Sequence, residues 1–164
     1  MPLSLFAQSN GTQGVRQTLA KIAALANASM LDPAIRDQAA YAISGCGKGD
    51  KRCQCAAILA WVNRKVQYVA DPSGVELLHD PRLMARAIAE NRRVYGDCDD
   101  MSGYLAALLK SIGRSPILRA VGYLHRPLSH VYVVCDGMPL DPTRDAWTVS
   151  VRVYPETTVL EWPV

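Results

Sequence analysis

Three short segments of the chain hold residue types that together could cleave or transfer an acyl group. Cys98 lies in the segment YGDCDD, which opens an apolar helical run, His130 lies in SHV, and Asp141 lies in LDP. A cysteine is an effective nucleophile as its thiolate, and a helix N-terminus with an imidazole nearby stabilises that anion. The order Cys, His, Asp therefore predicts a nucleophile, a base and a residue that orients the base.

Hairpin geometry predicts that the base and the orienting carboxylate meet. If Asp136-Gly137 is a two-residue turn, Tyr132 lies opposite Asp141 on the neighbouring strand. His130 then follows two residues along the same face, and such diagonal neighbours have side-chain origins somewhat under about 7–8 Å apart. An imidazole and a carboxylate can form a hydrogen bond over that separation.

The elements that must position these residues follow from periodicity and turn signals. The helix that carries the cysteine is expected from Cys98 to Ile112, with Gly113 as its stop. Four further helices are expected: residues 14–28, a segment from the Asp32-Pro33 cap to Gly45, residues 58 to about 68, and a segment that starts at Asp80-Pro81. Three strands are expected at Pro116–Leu124, Ser129–Cys135 and Trp147–Tyr154, whereas Asp71–Asp80 and Asn91–Asp97 are interpreted as loops.

These elements predict an α+β fold of one domain. N-terminal helices precede a central helix with Cys98 at its N-terminus, and that helix packs on a C-terminal antiparallel β-sheet. The chain has 164 residues and 49% hydrophobic content, which suits one domain with a real core.

Charge and cysteine content narrow the function classes. The net charge of +3 comes from 18 basic and 15 acidic residues that are interspersed along the chain, so we expect no nucleic-acid partner. The sequence has no apolar window long enough to span a membrane and no secretory signal at its start, so a cytoplasmic location is expected. The five cysteines are irregularly spaced, which favours free thiols over a disulfide framework.

The motifs resemble the core of the transglutaminase-like cysteine enzymes, a superfamily that shares its helix-plus-sheet arrangement with papain-type peptidases. The resemblance rests on YGDCDD, LLKSIG, SHVYV and LDPT in that order, and it covers roughly residues 55–145. The stretch from Trp61 to Pro72 is similar to small members encoded by phages and prophages. On this resemblance residues 1–54 are a helical extension, 55–145 the catalytic core, and 146–164 a strand and tail.

The resemblance implies a cysteine hydrolase that needs no cofactor. Cys98 attacks a peptide or carboxamide carbonyl, His130 acts as general base and acid, Asp141 holds the imidazole, and a thioester forms. The Cys98 backbone N–H is the expected first oxyanion donor. The candidates for the second donor are Trp61, Tyr68 and Asn91.

Partners and reaction type follow from the same resemblance. The expected partners are a peptide or protein substrate and phage structural proteins. Cross-linking transglutaminases carry a tryptophan directly after the nucleophile, where this chain has Asp99, and they add calcium-binding domains for which the chain has no room. Hydrolysis is therefore favoured over cross-linking, and transfer to an amine stays an alternative.

Acidic neighbours oppose a thiolate at Cys98. Asp97, Asp99 and Asp100 raise the energy of that anion unless their carboxylates point away from the sulfur, pair with Arg92 or Arg93, or receive a cationic substrate group.

Two other functions stay open: a non-catalytic phage assembly protein that keeps the fold, and a metal-binding module. No metal site is expected, because Asp97, Cys98, Asp99, His130 and Asp141 lack zinc-ligand spacing. Cys46, Cys53 and Cys55 are interpreted as loop thiols, Cys135 as a core residue, and His79 and His125 as surface residues.

Overall fold

The helices and strands alternate through most of the chain. The computed structural model describes residues 3–5, 11–72, 76–125, 127–143 and 156–164. Within these residues the helices are α1 (Thr12–Ser29), α2 (Pro33–Ala42), α3 (Lys51–Lys65), α4 (Pro81–Ala89) and α5 (Cys98–Ser111). The strands are β1 (Leu3–Leu5), β2 (Val66–Tyr68), β3 (Leu77–His79), β4 (Val94–Gly96), β5 (Ile117–Tyr123), β6 (His130–Cys135), β7 (Met138–Leu140) and β8 (Glu156–Pro163). The predicted α+β class is confirmed.

Aspartate caps define where four of these helices begin. Asp32, Asp50, Asp80 and Asp97 each accept a hydrogen bond from a backbone N–H in the first turn of α2, α3, α4 and α5, respectively. Such a cap satisfies donors that have no partner inside the helix. Proline follows the cap in α2 and α4, as the two Asp-Pro pairs predict.

Helix α5 lies at the centre of the helical layer and contacts the other four helices and β6. Gly103 lets α1 approach, since a Cβ at that position would lie 3.2 Å from Ile22 Cγ2. The buried Tyr104 hydroxyl accepts a hydrogen bond from Trp61 Nε1 at 3.0 Å and donates to Gln38 Oε1. Because this network satisfies buried polar atoms of three helices, it fixes how α2 and α3 pack on α5.

The main sheet has four strands in the order β7-β6-β5-β8, and each neighbouring pair is antiparallel. Side chains of β5 and β6 alternate between its faces, and Leu118, Ala120, Val131 and Val133 belong to the core shared with the helices. The Asp136-Gly137 turn pairs Cys135 with Met138 and Val133 with Leu140, which is the predicted register.

Several sequence predictions need correction. The third helix ends at Lys65 instead of continuing to about Tyr68, because Val66 adopts extended backbone and starts β2, which pairs in parallel with β4. The two expected loops thus contain short strands, since β3 pairs with β1 and β4 pairs with β2. The predicted strand Trp147–Tyr154 lies outside the described residues. In the described part of the chain, no helix combines the length and apolar character needed to span a membrane.

Candidate active site

Cys98 is the first residue of α5, as the sequence predicts. The Asp97 carboxylate caps the helix by accepting the N–H groups of Asp99 at 3.0 Å and Asp100 at 3.3 Å. The Asp100 carboxylate reaches back to the Asp97 N–H at 3.4 Å and completes a capping box. This reciprocal cap fixes the backbone on which the sulfur is presented.

Gly96 and His79 both contact Asp100 in the first turn of α5. A Cβ at Gly96 would lie 2.6 Å from Asp100 Cβ, so only glycine leaves room for that buried carboxylate. Asp100 accepts hydrogen bonds from the His79 backbone N–H and Nδ1, both at 2.7 Å. The hydrogen bond to Asp100 raises the pKa of His79, although its partial burial opposes the shift. His79 is therefore a partner of the Cys98 turn, which corrects the surface assignment.

His130 and Asp141 meet as the hairpin register predicts. His130 Nε2 lies 2.7 Å from Asp141 Oδ2, and Thr143 donates to Asp141 Oδ1 from its backbone N–H and its hydroxyl. Burial alone would raise the pKa of Asp141, but the hydrogen bonds from His130 and Thr143 outweigh it and lower that pKa. The carboxylate thus stays ionised, and it contacts the ring of His130 through Nε2.

The sulfur of Cys98 lies against the backbone of the residue that follows His130. A two-residue turn makes Cys135 and Met138 a hydrogen-bonded pair, so the N–H groups of alternate residues, including Val131, point toward β7. β7 pairs with β6 only as far as Leu140, which leaves the Val131 N–H for the sulfur. That N–H favours the thiolate of Cys98, and Ser102, one turn along α5, donates to the Val131 carbonyl at 3.3 Å.

The resting state of Cys98 is a thiol. Burial raises its pKa well above the ordinary range, and the neighbouring charge of Asp99 raises it further, while the Val131 N–H opposes the shift. Sγ donates to Asp99 Oδ1 at 3.6 Å. This carboxylate therefore points toward the sulfur, contrary to the more favourable arrangement considered for the sequence. In the described residues, no hydrogen bond joins Sγ to the His130 ring.

Burial favours the protonated forms of two acidic side chains beside Cys98. Burial raises the pKa of Asp99 well above the ordinary value, and a hydrogen bond with Glu76 raises it further. Burial also raises the pKa of Asp97 to about 7, with the Asp100 charge as the second cause. Arg92 pairs with Glu90 instead of with these acids. Protonation of Asp97 and Asp99, and not an ion pair with Arg92, therefore reduces the negative charge around the sulfur.

The three oxyanion candidates lie in different surroundings. The Trp61 indole N–H is already bonded to Tyr104 in the helical core. Asn91 lies in the exposed turn after α4, at the opposite end of β4 from Cys98. Tyr68 is 51% exposed, and burial of its hydroxyl together with the Cys98 sulfur raises its pKa. Tyr68 is therefore the candidate that shares the electrostatic environment of the sulfur.

The remaining cysteines correct one prediction and support another. Cys46 and Cys53 form a disulfide with a Cα–Cα distance of 5.7 Å, so the expectation that all five thiols are free is wrong. Cys55 and Cys135 are free and buried, as expected for Cys135. His125 is exposed in the turn after β5.

Sequence reasoning missed two partners of this site, His79 and Glu76. Both come from a segment interpreted as a loop, and each meets an acid of the YGDCDD motif through the tertiary fold. One signal in the sequence could have indicated these partners. The YGDCDD motif has an excess of carboxylates, and such carboxylates need either hydrogen-bonding partners or protonation.

The zinc alternative at Cys98 is not favoured by the geometry, since in the described residues no three ligand atoms from Asp97, Cys98, Asp99, His130 and Asp141 lie within 4.8 Å of one another.

Comparison of the chain with protein-family models, curated proteins and solved structures finds no match.

Proposed function

We propose that the protein is a cysteine hydrolase with a transglutaminase-like, papain-related core. Cys98 is the nucleophile, His130 the base and Asp141 the orienting carboxylate. The observation that carries the proposal is the 2.7 Å contact between His130 Nε2 and Asp141 Oδ2, one residue along β6 from the backbone N–H that faces the Cys98 sulfur. A helix N-terminus, an imidazole and a carboxylate on adjoining elements are the parts that thiol acyl transfer requires.

The proposed reaction begins from the neutral thiol. His130 Nδ1 accepts the Cys98 proton as the sulfur attacks the carbonyl carbon of a peptide or carboxamide, and the carbonyl oxygen becomes negatively charged. The Cys98 N–H at the start of α5 stabilises this oxyanion, and the Tyr68 hydroxyl is the best-supported second donor. The protonated imidazole then donates to the leaving nitrogen, the C–N bond breaks, and a thioester remains on Cys98.

Deacylation uses the same groups in the reverse roles. His130 takes a proton from water as the hydroxyl oxygen attacks the thioester, and the sulfur leaves and recovers its proton. Asp141 keeps its charge throughout, which is consistent with its lowered pKa, and it holds the imidazole in one tautomer. Water is the proposed acceptor because Asp99 occupies the position at which cross-linking transglutaminases carry a tryptophan.

A small activated ester tests this proposal without knowledge of the natural substrate. With p-nitrophenyl acetate, we expect turnover that is lost in Cys98→Ala and strongly reduced in His130→Ala. A matched control, His125→Ala at an exposed imidazole, should keep the wild-type rate. Equal rates in wild type and Cys98→Ala would refute the proposal, since the ester would then react elsewhere.

One observation favours a second function, that of a non-catalytic binding or assembly protein. The Cys98 thiol donates to Asp99, and both burial and that acid raise its pKa, which disfavours the nucleophilic form. On this alternative Cys98→Ala would keep the biological function, and the wild-type protein would not turn over the ester. Phage structural proteins are the partners that the sequence resemblance suggests for such a role.

A further inference from the structure

A second cluster of ligand-bearing side chains lies at the opposite end of β6 from His130. The sulfurs of Cys55 and Cys135 and a carboxylate oxygen of Asp136 all lie within 4.8 Å of one another. Cys55 comes from α3, Cys135 ends β6, and Asp136 forms the exposed turn to β7. The cluster therefore joins a helix to the β6–β7 hairpin, and one of its three members opens to solvent.

The donor set and the spacing suit a thiophilic divalent ion. Two thiolates and a carboxylate are ligands that Zn²⁺ and Cd²⁺ accept, and water can fill a fourth position. Ligand atoms at about 2.0–2.3 Å from a tetrahedral ion lie about 3.3–3.8 Å apart. The cluster thus needs to contract by no more than about 1–1.5 Å, which an exposed aspartate at a hairpin turn can supply by a change of rotamer.

Two basic side chains lie beside the cluster. Lys51 Nζ lies 3.5 Å and Arg114 Nη1 3.9 Å from the Asp136 carboxylate. In the described residues the buried Arg114 Nε has no hydrogen-bond partner. Three anionic ligands around a divalent ion carry one net negative charge, which these cations neutralise.

We propose that Cys55, Cys135 and Asp136 form a binding site for a thiophilic divalent metal ion of the zinc type, separate from the Cys98 site. The ion displaces the protons that remain on the two thiols, and those protons pass to solvent. No group changes its oxidation state. When bound, the ion links α3 to the β6–β7 hairpin and stabilises their packing, because it binds the folded chain. Cys46 and Cys53 take no part, since their sulfurs are joined to each other.

Cadmium titration of the Cys98→Ala protein, under conditions that preserve the disulfide, tests the site. We expect one Cd²⁺ per chain after gel filtration, with a sulfur-to-cadmium charge-transfer band of the intensity given by two thiolates. Cys55→Ser and Cys135→Ser should each lose at least half of that band. Asp136→Asn should keep the band and weaken the affinity at least tenfold, and Asp37→Asn on the exposed face of α2 should change neither.

Two results would overturn the proposal: no cadmium retained, or a band that persists in the double variant Cys55→Ser/Cys135→Ser. If the cysteine variants do not fold, alkylation of the Cys98→Ala protein decides. In mild urea, Zn²⁺ should protect Cys55 and Cys135 from iodoacetamide, and Asp136→Asn should weaken that protection. Equal alkylation with and without Zn²⁺ would also reject the site. None of these outcomes depends on whether Cys98 is catalytic.

Discussion

Replacement of Asp99 by asparagine should make Cys98 more reactive. Asp99 Oδ1 lies 3.6 Å from the sulfur, and two negative charges at that distance repel by about 4–5 kcal/mol at an effective dielectric constant of about 20. This energy corresponds to about 3 pKa units for the thiol. Because burial raises the pKa of Asp99 itself, its average charge is smaller, and we expect the pKa of Cys98 to fall by about one to two units.

The effect on rate is smaller than the effect on the thiolate population. Each unit of pKa raises the thiolate fraction at pH 7 about tenfold, while the less basic sulfur is a weaker nucleophile by about threefold. Alkylation of Cys98 in Asp99→Asn should therefore be about 3–10 times faster at pH 7, with the pH–rate midpoint shifted downward.

The assay is a pH series of iodoacetamide alkylation, with Cys98 followed by peptide mass spectrometry. Cys55 and Cys135 are buried and provide internal references in the same spectra. Asp37→Asn makes the same substitution on an exposed helix face and should leave the profile of Cys98 unchanged. An unchanged or raised midpoint in Asp99→Asn would refute the electrostatic reasoning.

Three further predictions address the surroundings of the sulfur. Gly96→Ala should lower the free energy of unfolding by about 1–3 kcal/mol in urea, because its Cβ would lie 2.6 Å from Asp100 Cβ. Asp141→Asn should reduce kcat for p-nitrophenyl acetate by about 10²–10⁴ with stability retained, because His130 loses its charged partner. The pKa of Asp97 is raised to about 7, so the stability it contributes is complete below about pH 4 and is lost as pH rises through 7. Asp97→Asn keeps the helix cap without the charge and should be more stable than wild type at pH 8, by up to about 4 kcal/mol, with the difference disappearing toward pH 4 in urea titrations.

Two of these variants have a control elsewhere in the chain. Gly45→Ala adds a Cβ with no heavy atom within 4 Å and should be tolerated, so an equal loss in both glycine variants would contradict the steric reasoning. Asp50→Asn changes the cap of α3 and should not show the pH-dependent gain. An unchanged kcat in Asp141→Asn would remove the orienting role of that carboxylate.

Local signals explain why much of the site could be predicted from the sequence. The Asp136-Gly137 turn fixes the register of its hairpin through short-range geometry, and that register brings His130 to Asp141. The cap at Asp97 and the stop at Gly113 lie within one turn of the helix ends, so the bounds of α5 follow from neighbouring residues. Cys98 at the start of α5 is a direct consequence.

Interactions between distant segments explain what the sequence could not predict. His79 reaches Asp100, and Glu76 reaches Asp99, through packing of the segment before α4 against the start of α5. Helical periodicity predicted that the third helix continues past Lys65. Periodicity is a local signal, so it carries no information about the pairing of the next residues with β4. The irregular spacing of the five cysteines indicated free thiols, although one short loop brings Cys46 to Cys53.

The most direct test of the central claim is to map the acyl group after rapid acid quench of the protein during p-nitrophenyl acetate turnover. Acid preserves a thioester long enough for peptide mass spectrometry. We predict one acetyl group per chain on Cys98, absent from Cys98→Ala and absent from Cys55 and Cys135. Ester turnover with no acetyl on Cys98, or with the acetyl spread over other residues, would contradict the assignment of Cys98 as the nucleophile.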